Sequence, residues 1–271
     1  NQQWSIADCD GDGKDEIVYG ACAIDHDGTG LHTTGLGHGD ALHVSDFDPD
    51  REGLEIWQPH ESGSVEYGAS LRDAETGEIL FGQYTGVDTG RGMIADLDPD
   101  RPGCEFWAPA GVGTHAATDG YPRIADTIES YNFAVWWTGD LTRELFDGGG
   151  NVESTGRVQE WNPSATGGRV ERLVEFEGTR TTQSTKNFAA FVGDVLGDWR
   201  EEVLLTDKES TELRIYLTPH ETEHRIPNLL HDPQYRAAMA WQNNGYNQPP
   251  WPGYYLGTDM DGVPDYDVKP V

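Results

Sequence analysis

The chain has 271 residues, room for one large all-β domain or two ordinary ones. A net charge of −30 and a pI near 4.3 exclude a nucleic-acid partner held by its phosphates, and no apolar stretch is long enough to cross a bilayer as a helix. A mean hydropathy of −0.63, 34 glycines and 10% aromatic residues argue against a thick sandwich core and for many short strands joined by tight turns. No signal-peptide pattern stands at Asn1, and the chain opens inside a motif, as a mature, clipped or truncated polypeptide would. Cys9, Cys22 and Cys104 are odd in number and lack metal-type spacing, so they allow one intrachain bridge at most.

In chain order, the first feature is Asp8-Cys9-Asp10-Gly11-Asp12-Gly13-Lys14-Asp15-Glu16, running into the apolar Ile17-Val18-Tyr19. It opens like an EF-hand loop, with Asp8, Asp10 and Asp12, Gly13 at the sharp turn and Lys14 at the next ligand position. The twelfth position is Tyr19, so the ninth, Glu16, must close the set, and the β-favouring residues that follow predict loop-into-strand. The pattern recurs as Asp46, Asp48, Asp50 and Glu55 before Ile56-Trp57, and as Asp96, Asp98, Asp100 and Glu105 before Phe106-Trp107. A related copy has Asp194, Asp198 and Glu202. Carboxylates at alternate turn positions suit a hard cation that takes six to eight oxygens, and Ca²⁺ is the expected occupant.

These loops begin at intervals of 38, 50 and 98 residues, the last close to two units of the others. A repeat of that length predicts a propeller or solenoid of small sheets, none of which buries its face alone. Strands are predicted over 15–22, 53–58, 78–84, 104–108, 132–137, 171–176, 202–206 and 212–217, with one helical turn around 140–146. Gly148-Gly149-Gly150 and 165–168 read as surface loops. Bound Ca²⁺ accounts for part of the acidity. The rest, with four Lys among 18 basic residues, resembles a surface adapted to high salt. Weak, numerous calcium loops suit millimolar extracellular calcium, so a secreted protein is expected.

Three segments carry more polar and aromatic residues than a strand-and-turn scaffold needs. They are Gly35 to His43 with Gln58-Pro59-His60-Glu61, then Gln183-Ser184-Thr185-Lys186, then Trp241 to Trp251. Taken singly, His38 and His43 are equally well read as hydrogen-bonded turn residues, Lys186 as a solvated amine, and the Asn/Gln/Pro/Trp run as a rigid closing loop.

Together with the acidic loops, these segments resemble the bacterial rhamnogalacturonan lyases of polysaccharide lyase family 11. The likeness runs from Ser5 to Ala21 and Gly35 to Glu61, through Asn132 to Leu145 and Gly197-Asp198-Trp199-Arg200-Glu201-Glu202, to Thr222 to Arg236 and Tyr246 to Pro250. The resemblance implies an eight-bladed, calcium-stabilised β-propeller that cleaves the rhamnose–galacturonate backbone of rhamnogalacturonan I, an acidic polysaccharide, by β-elimination. It implies Lys186 and Tyr246 as catalytic residues, and Gln183, Ser184, Thr185, Asn243 and Gly245 as sugar-binding positions. It places an active-site calcium on His38, Asp40 and Glu61. The chain departs from the pattern in two places: Gln183-Ser184 stands where Asn-Gly is usual, and Gln2 where a further metal-site His is expected. The family is also longer, so this chain would supply about four to five blades. A missing N-terminal segment or a second chain would then complete the ring and cover raw sheet edges.

The implied chemistry needs a cation or hydrogen-bonded clamp on the uronate carboxylate, a base at C5 and an acid at the leaving oxygen. Lys186 and Tyr246 suit both proton roles, with Arg180 and Arg225 as charges able to tune them and Trp241, Trp251, Tyr254 and Tyr255 as stacking surfaces. Two rival readings are a non-catalytic calcium-dependent carbohydrate-binding or adhesion propeller, and a lyase for another uronic-acid polysaccharide.

Overall fold

A computed structural model describes residues 3–148, 154–165, 169–183 and 186–262. They form twenty short strands in five antiparallel sheets, each of four strands. The first sheet holds β1 (Trp4–Ala7), β2 (Glu16–Tyr19), β3 (Cys22–Ile24) and β4 (Gly30–Thr33), and the second β5 (His43–Ser45), β6 (Glu55–Pro59), β7 (Ala69–Asp73) and β8 (Ile79–Gln83). The third holds β9 (Met93–Ala95), β10 (Glu105–Ala108), β11 (Gly113–Ala116) and β12 (Arg123–Ala125), and the fourth β13 (Phe133–Val135), β14 (Glu144–Gly148), β15 (Gly156–Asn162) and β16 (Arg169–Glu175). In the fifth, β17 (Thr179–Arg180) and β18 (Phe191–Gly193) pair with successive parts of β19 (Glu202–Asp207), which also pairs with β20 (Leu213–Tyr216).

Each of the eight predicted strand regions contains a strand, but the helical prediction fails. Residues 144–148 are β14, where Leu145 and Phe146 enter the core, and the α-helix is α1 (Pro233–Trp241). Its N-cap is Asp232, whose carboxylate accepts from the Tyr235 N–H at 2.7 Å, and Pro233 fills the first turn. Gly148 is likewise a buried strand end rather than a surface loop. A Cβ there would lie 2.1 Å from Ser154 Oγ. Residues 149–150 and 166–168 fall outside the described residues.

Low overall hydropathy and a real core coexist because the sheets stack face to face in chain order. In the middle sheets β6, β7, β10, β11 and β14 are buried along their whole length, on both faces. In the outer ones burial alternates: Ile17 and Tyr19 of β2 and Leu213 and Ile215 of β20 are exposed. One apolar cluster joins the first two sheets (Ala7, Val18, Val44, Ile56) and another the last two (Phe133, Phe146, Phe188, Val203). The largest spans the middle sheets and the segment after α1.

That C-terminal segment ties the sheets together. Trp251 meets Phe47 and Trp136 edge-on, at centroid distances of 5.0 and 5.9 Å. Arg143 lies between the Trp136 and Trp251 rings (3.9 and 4.2 Å to their centroids) and donates to the Pro250 carbonyl at 3.0 Å. Trp241 at the end of α1 packs on Trp4 of the first sheet, 5.4 Å between centroids.

Candidate active site

The antiparallel register sorts the chemistry to two opposite ends of the sheets. In the second sheet His43 pairs with Trp57 and Ser45 with Glu55. The 46–54 loop therefore lies at one end, and His38, Asp40 and Glu61 at the other. Phe191 pairing with Leu204 and Gly193 with Glu202 does the same in the fifth sheet, with the Asp194–Glu202 loop at the first end and Lys186 at the second.

At the acidic-loop end, one device recurs five times. The Glu that opens the strand after each loop turns back and accepts loop backbone N–H groups. Glu16 takes Cys9 (2.8 Å), Glu55 takes Phe47 and Asp48 (2.8 and 3.2 Å) and Glu105 takes Leu97 and Asp98 (2.9 and 3.2 Å). Glu144 takes Trp137 and Thr138 (2.7 and 3.0 Å), and Glu202 takes Val195 and Leu196 (both 2.9 Å). The Glu144 copy was not read from the sequence, because Trp136 and Thr138 stand where the first three loops have carboxylates; the closing Glu and Asp140 are its remaining signal.

The loops differ in what faces their carboxylates. In the first, ligand atoms of Asp8, Asp10 and Glu16 lie within 4.8 Å of one another. Lys14 offers that cage a backbone carbonyl at most, since its ammonium pairs with Asp12 at 3.0 Å. In the second, Arg51 reaches Glu55 (3.1 Å) and Asp73 (2.6 Å), while burial pushes Asp46 up to about 7. Asp48 Oδ1 accepts from the Asp50 N–H at 3.1 Å, and Asp98 and Asp100 repeat that turn at 3.2 Å. Asp96 accepts from the Thr258 N–H (2.6 Å) and the Tyr255 hydroxyl (3.2 Å), and Asp194 from Gly197, Trp199 and Leu229. Those two carboxylates therefore anchor later segments, and Asp198 is paired with Arg200.

At the opposite end, the candidate residues converge. Residues 38–40 pack so tightly on β6 that a Cβ on Gly39 would lie 1.9 Å from the Pro59 carbonyl oxygen, and the Glu61 N–H donates to the His38 carbonyl at 2.8 Å. His38 Nε2 stands 3.1 Å from Glu61 Oε2 and 3.6 Å from Asp40 Oδ1. Lys186 rides a loop pinched by a two-way backbone bridge between Thr182 and Phe188, with Gln183 and Asn187 in left-handed conformations (φ 60° and 54°). Its Nζ is 2.6 Å from Asp40 Oδ2 and 4.9 Å from the centre of the Tyr246 ring.

Tyr246 lies on the amide-rich loop after α1, and the amides explain how that loop is held. Gln242 exchanges both bonds with the Val192 backbone (2.8 and 2.7 Å), and Asn243 and Asn247 donate to the Ala190 and Ala189 carbonyls (both 3.1 Å). Gln183 donates to the Gly245 carbonyl at 3.0 Å, so these two expected sugar contacts also link the lysine and tyrosine loops. Ser184 and Thr185 lie outside the described residues.

Arg91 was not singled out from the sequence. Fully buried, and driven down to about 9 by that burial, it donates to the carbonyls of Asp40, Asn132 (2.7 Å) and Asn247 (3.4 Å), with Phe188 under its guanidinium at 4.5 Å. It thereby fixes the backbone beside both Asp40 and Tyr246. His43 and His60 are buried and held neutral, each pushed down to about 3 by desolvation, which makes His43 a core residue bonded to Gly92 and Trp251.

The sequence model of the C-terminal domain of rhamnogalacturonan lyase family 11 matches residues 1–266. The chain belongs to this family. It is similar to the rhamnogalacturonan exolyase YesX and endolyase YesW of Bacillus subtilis (strain 168), each 47% identical over 97% of this chain. Only 44% and 41% of those two are matched, so this family 11 chain spans less than half the length of its curated relatives. Among solved structures, that of YesW superposes with a TM-score of 0.89 at 48% identity over 97% of this chain and 43% of its own. The Bacillus licheniformis rhamnogalacturonan lyase gives 0.88 at 48% identity, over 96% and 43%.

Proposed function

We propose that this chain carries the catalytic half of a secreted, calcium-dependent rhamnogalacturonan lyase, which cleaves the rhamnose–galacturonate backbone of rhamnogalacturonan I by β-elimination. The observation that carries the reading is the placement of one amine and one phenol side by side on a single rim, Lys186 Nζ 4.9 Å from the Tyr246 ring centre, against a His–Asp–Glu cluster. The names of its relatives supply the substrate class.

β-Elimination from a galacturonate residue removes the C5 proton and expels the C4 oxygen. Lys186 and Tyr246 divide these two transfers. Lys186 Nζ is paired with Asp40 Oδ2 at 2.6 Å. To reach a proton on the sugar the side chain must leave that carboxylate. Arg91 keeps the 38–40 loop and the Tyr246 loop in register by gripping the Asp40 and Asn247 carbonyls, which holds Tyr246 beside the carboxylate that Lys186 pairs with. His38, Asp40 and Glu61 offer a cation one imidazole nitrogen and two carboxylates, His38 standing 3.1 Å from Glu61 and 3.6 Å from Asp40, and the two carboxylates would draw together to close on it. A Ca²⁺ bound there would neutralise the uronate carboxylate and so acidify C5.

We also propose Ca²⁺ for the acidic loops. Buried carboxylate oxygens without a hydrogen-bond partner support it: Asp8 Oδ1, Glu16 Oε1, Asp46 Oδ1, Asp96 Oδ1 and Glu105 Oε1. The exposed faces of the outer sheets, with Ile17 and Tyr19 on one and Leu213, Ile215 and Leu217 on the other, support a propeller. Its remaining blades, from a further segment or a second chain, would cover both.

The test is incubation with rhamnogalacturonan I and, separately, with other uronic-acid polymers, following ultraviolet absorbance of the new double bond. Product from the first alone supports the reading. Binding without absorbance points to a non-catalytic carbohydrate-binding protein, and product from another polymer to a different lyase.

A further inference from the structure

Strand β14 ends in a buried carboxylate that leads to the catalytic rim by two short routes. Val135 pairs with Glu144 and Phe133 with Phe146, so Asp147 and Asn132 lie at the same end of the sheets as Lys186 and Tyr246. Both Asp147 oxygens accept from Asn132 Nδ2, at 3.2 and 3.4 Å, and Oδ1 also accepts from the Gly148 N–H at 2.8 Å. The Asn132 carbonyl in turn accepts from Arg91 at 2.7 Å, and the same guanidinium nitrogen reaches the Asn247 carbonyl. Gly148 abuts the lysine loop. A Cβ there would lie 2.5 Å from Oδ1 of Asn187, the residue after Lys186, which accepts from Ser154 Oγ at 2.5 Å and Thr181 Oγ1 at 3.0 Å.

We propose that Asp147 is a positioning residue for the elimination: by gripping the Asn132 amide it fixes the carbonyl that orients Arg91, and through Arg91 it holds Asp40 and the Tyr246 loop in place. Its part in proton transfer rests on the lyase reading; the relay of contacts stands without it. Arg91 is fully buried and donates to three carbonyls, so its direction is set by where those carbonyls stand. Asp147 is 7% exposed and touches no sugar. Its charge is also disfavoured where it stands. Burial pushes its carboxyl up to about 6, and among the described residues no basic group pairs with it, Arg157 and Arg91 acting only at longer range. An uncharged side chain would suit a merely structural corner better. What the carboxylate adds is two accepting oxygens, both turned on Asn132 Nδ2. An asparagine would set its own NH₂ against either that amide or the Gly148 N–H, donor against donor.

The experiment compares Asp147→Asn, Arg91→Lys and the double variant by kcat and KM on rhamnogalacturonan I, by thermal melts and by hydrogen exchange. Expected for Asp147→Asn is a kcat about tenfold lower and a KM within roughly twofold of the wild type. Its melting curve should stay close to the wild type, because removing a buried charge offsets the lost hydrogen bond. Asn132→Ala, which removes the amide and keeps the carboxylate, should lower kcat in the same way. Adding Asp147→Asn to Arg91→Lys should lower the rate no further, since the carboxylate acts through that arginine. Exchanging the partners, Asp147→Asn with Asn132→Asp, again faces an amide with a carboxylate and should recover most of the rate. Amide exchange over residues 38–41 and 245–248 should quicken severalfold in Asp147→Asn. Full kcat in Asp147→Asn or Asn132→Ala, losses that multiply in the double variant, or no recovery on exchanging the partners would overturn the inference. A wild type that makes no unsaturated product would count against the lyase reading alone, and hydrogen exchange would still decide the relay. Unchanged protection in Asp147→Asn refutes it.

Discussion

Gly39→Ala tests whether the 38–40 loop owes its place to contact with β6. A Cβ at this position would lie 1.9 Å from the Pro59 carbonyl oxygen, 3.1 Å from its carbon and 3.3 Å from Gln58 Nε2. The nearest atom is backbone of a fully buried strand, so a side chain cannot swing aside to relieve the clash. Opening the contact from 1.9 Å to even 3.0 Å moves the loop by more than 1 Å. Overpacking of this kind costs about 1–3 kcal/mol, which for a chain of this size is a drop in Tm of roughly 2–12 °C. The same shift carries His38 and Asp40 away from Glu61 and Lys186, and a misplacement near 1 Å costs on the order of 100-fold in rate. Thermal melts by circular dichroism and initial rates of ultraviolet-absorbing product measure the two effects. Gly30→Ala is the control, because a Cβ there meets nothing within 4 Å. A Gly39→Ala protein matching Gly30→Ala in both Tm and rate would refute the packing argument.

Lys186→Met and Tyr246→Phe should each abolish unsaturated product, with kcat falling on the order of 100-fold or more and the melting curve unchanged. Full product from either variant removes that residue from the reaction. Chelation should lower Tm and activity together, since buried carboxylate oxygens in the acidic loops then lack a partner; a melting curve indifferent to chelator contradicts the calcium assignment. Burial pushes Glu144 up to about 7 and Asp147 up to about 6. The folded chain thus binds protons that the unfolded chain has already released, and stability falls as pH rises from the ordinary carboxylate range through about 7. Urea titrations across that window should show a falling midpoint for the wild type and a flatter profile for Glu144→Gln. Identical slopes would remove Glu144 from the pH response.

How much could be read ahead depended on whether a residue's role was local. The closing Glu16, Glu55, Glu105 and Glu202 were readable because each acts within its own loop, nine residues or fewer from the groups it binds. Glu144 acts the same way, but its loop had lost the flanking aspartates that mark the others. Longer apolar runs such as 202–206 gave strands directly, whereas β5 and β9 have three residues each, too few for alternation to show. Helix α1 carried its signal in Asp232-Pro233, an N-cap followed by a first-turn proline, which was read as part of a resemblance rather than as a helix start. Lys186 and Tyr246 came from that resemblance. Arg91 had no comparable signal, because its function is to join the carbonyls of Asp40, Asn132 and Asn247, which meet only in the folded chain.

The most direct test of eliminative cleavage is mass spectrometry of the fragments released from rhamnogalacturonan I in water enriched with heavy oxygen. The account predicts a new non-reducing end lighter by one water than a hydrolytic product, with no heavy oxygen incorporated at the broken bond. Fragments of full hydrolytic mass that carry the label would contradict it.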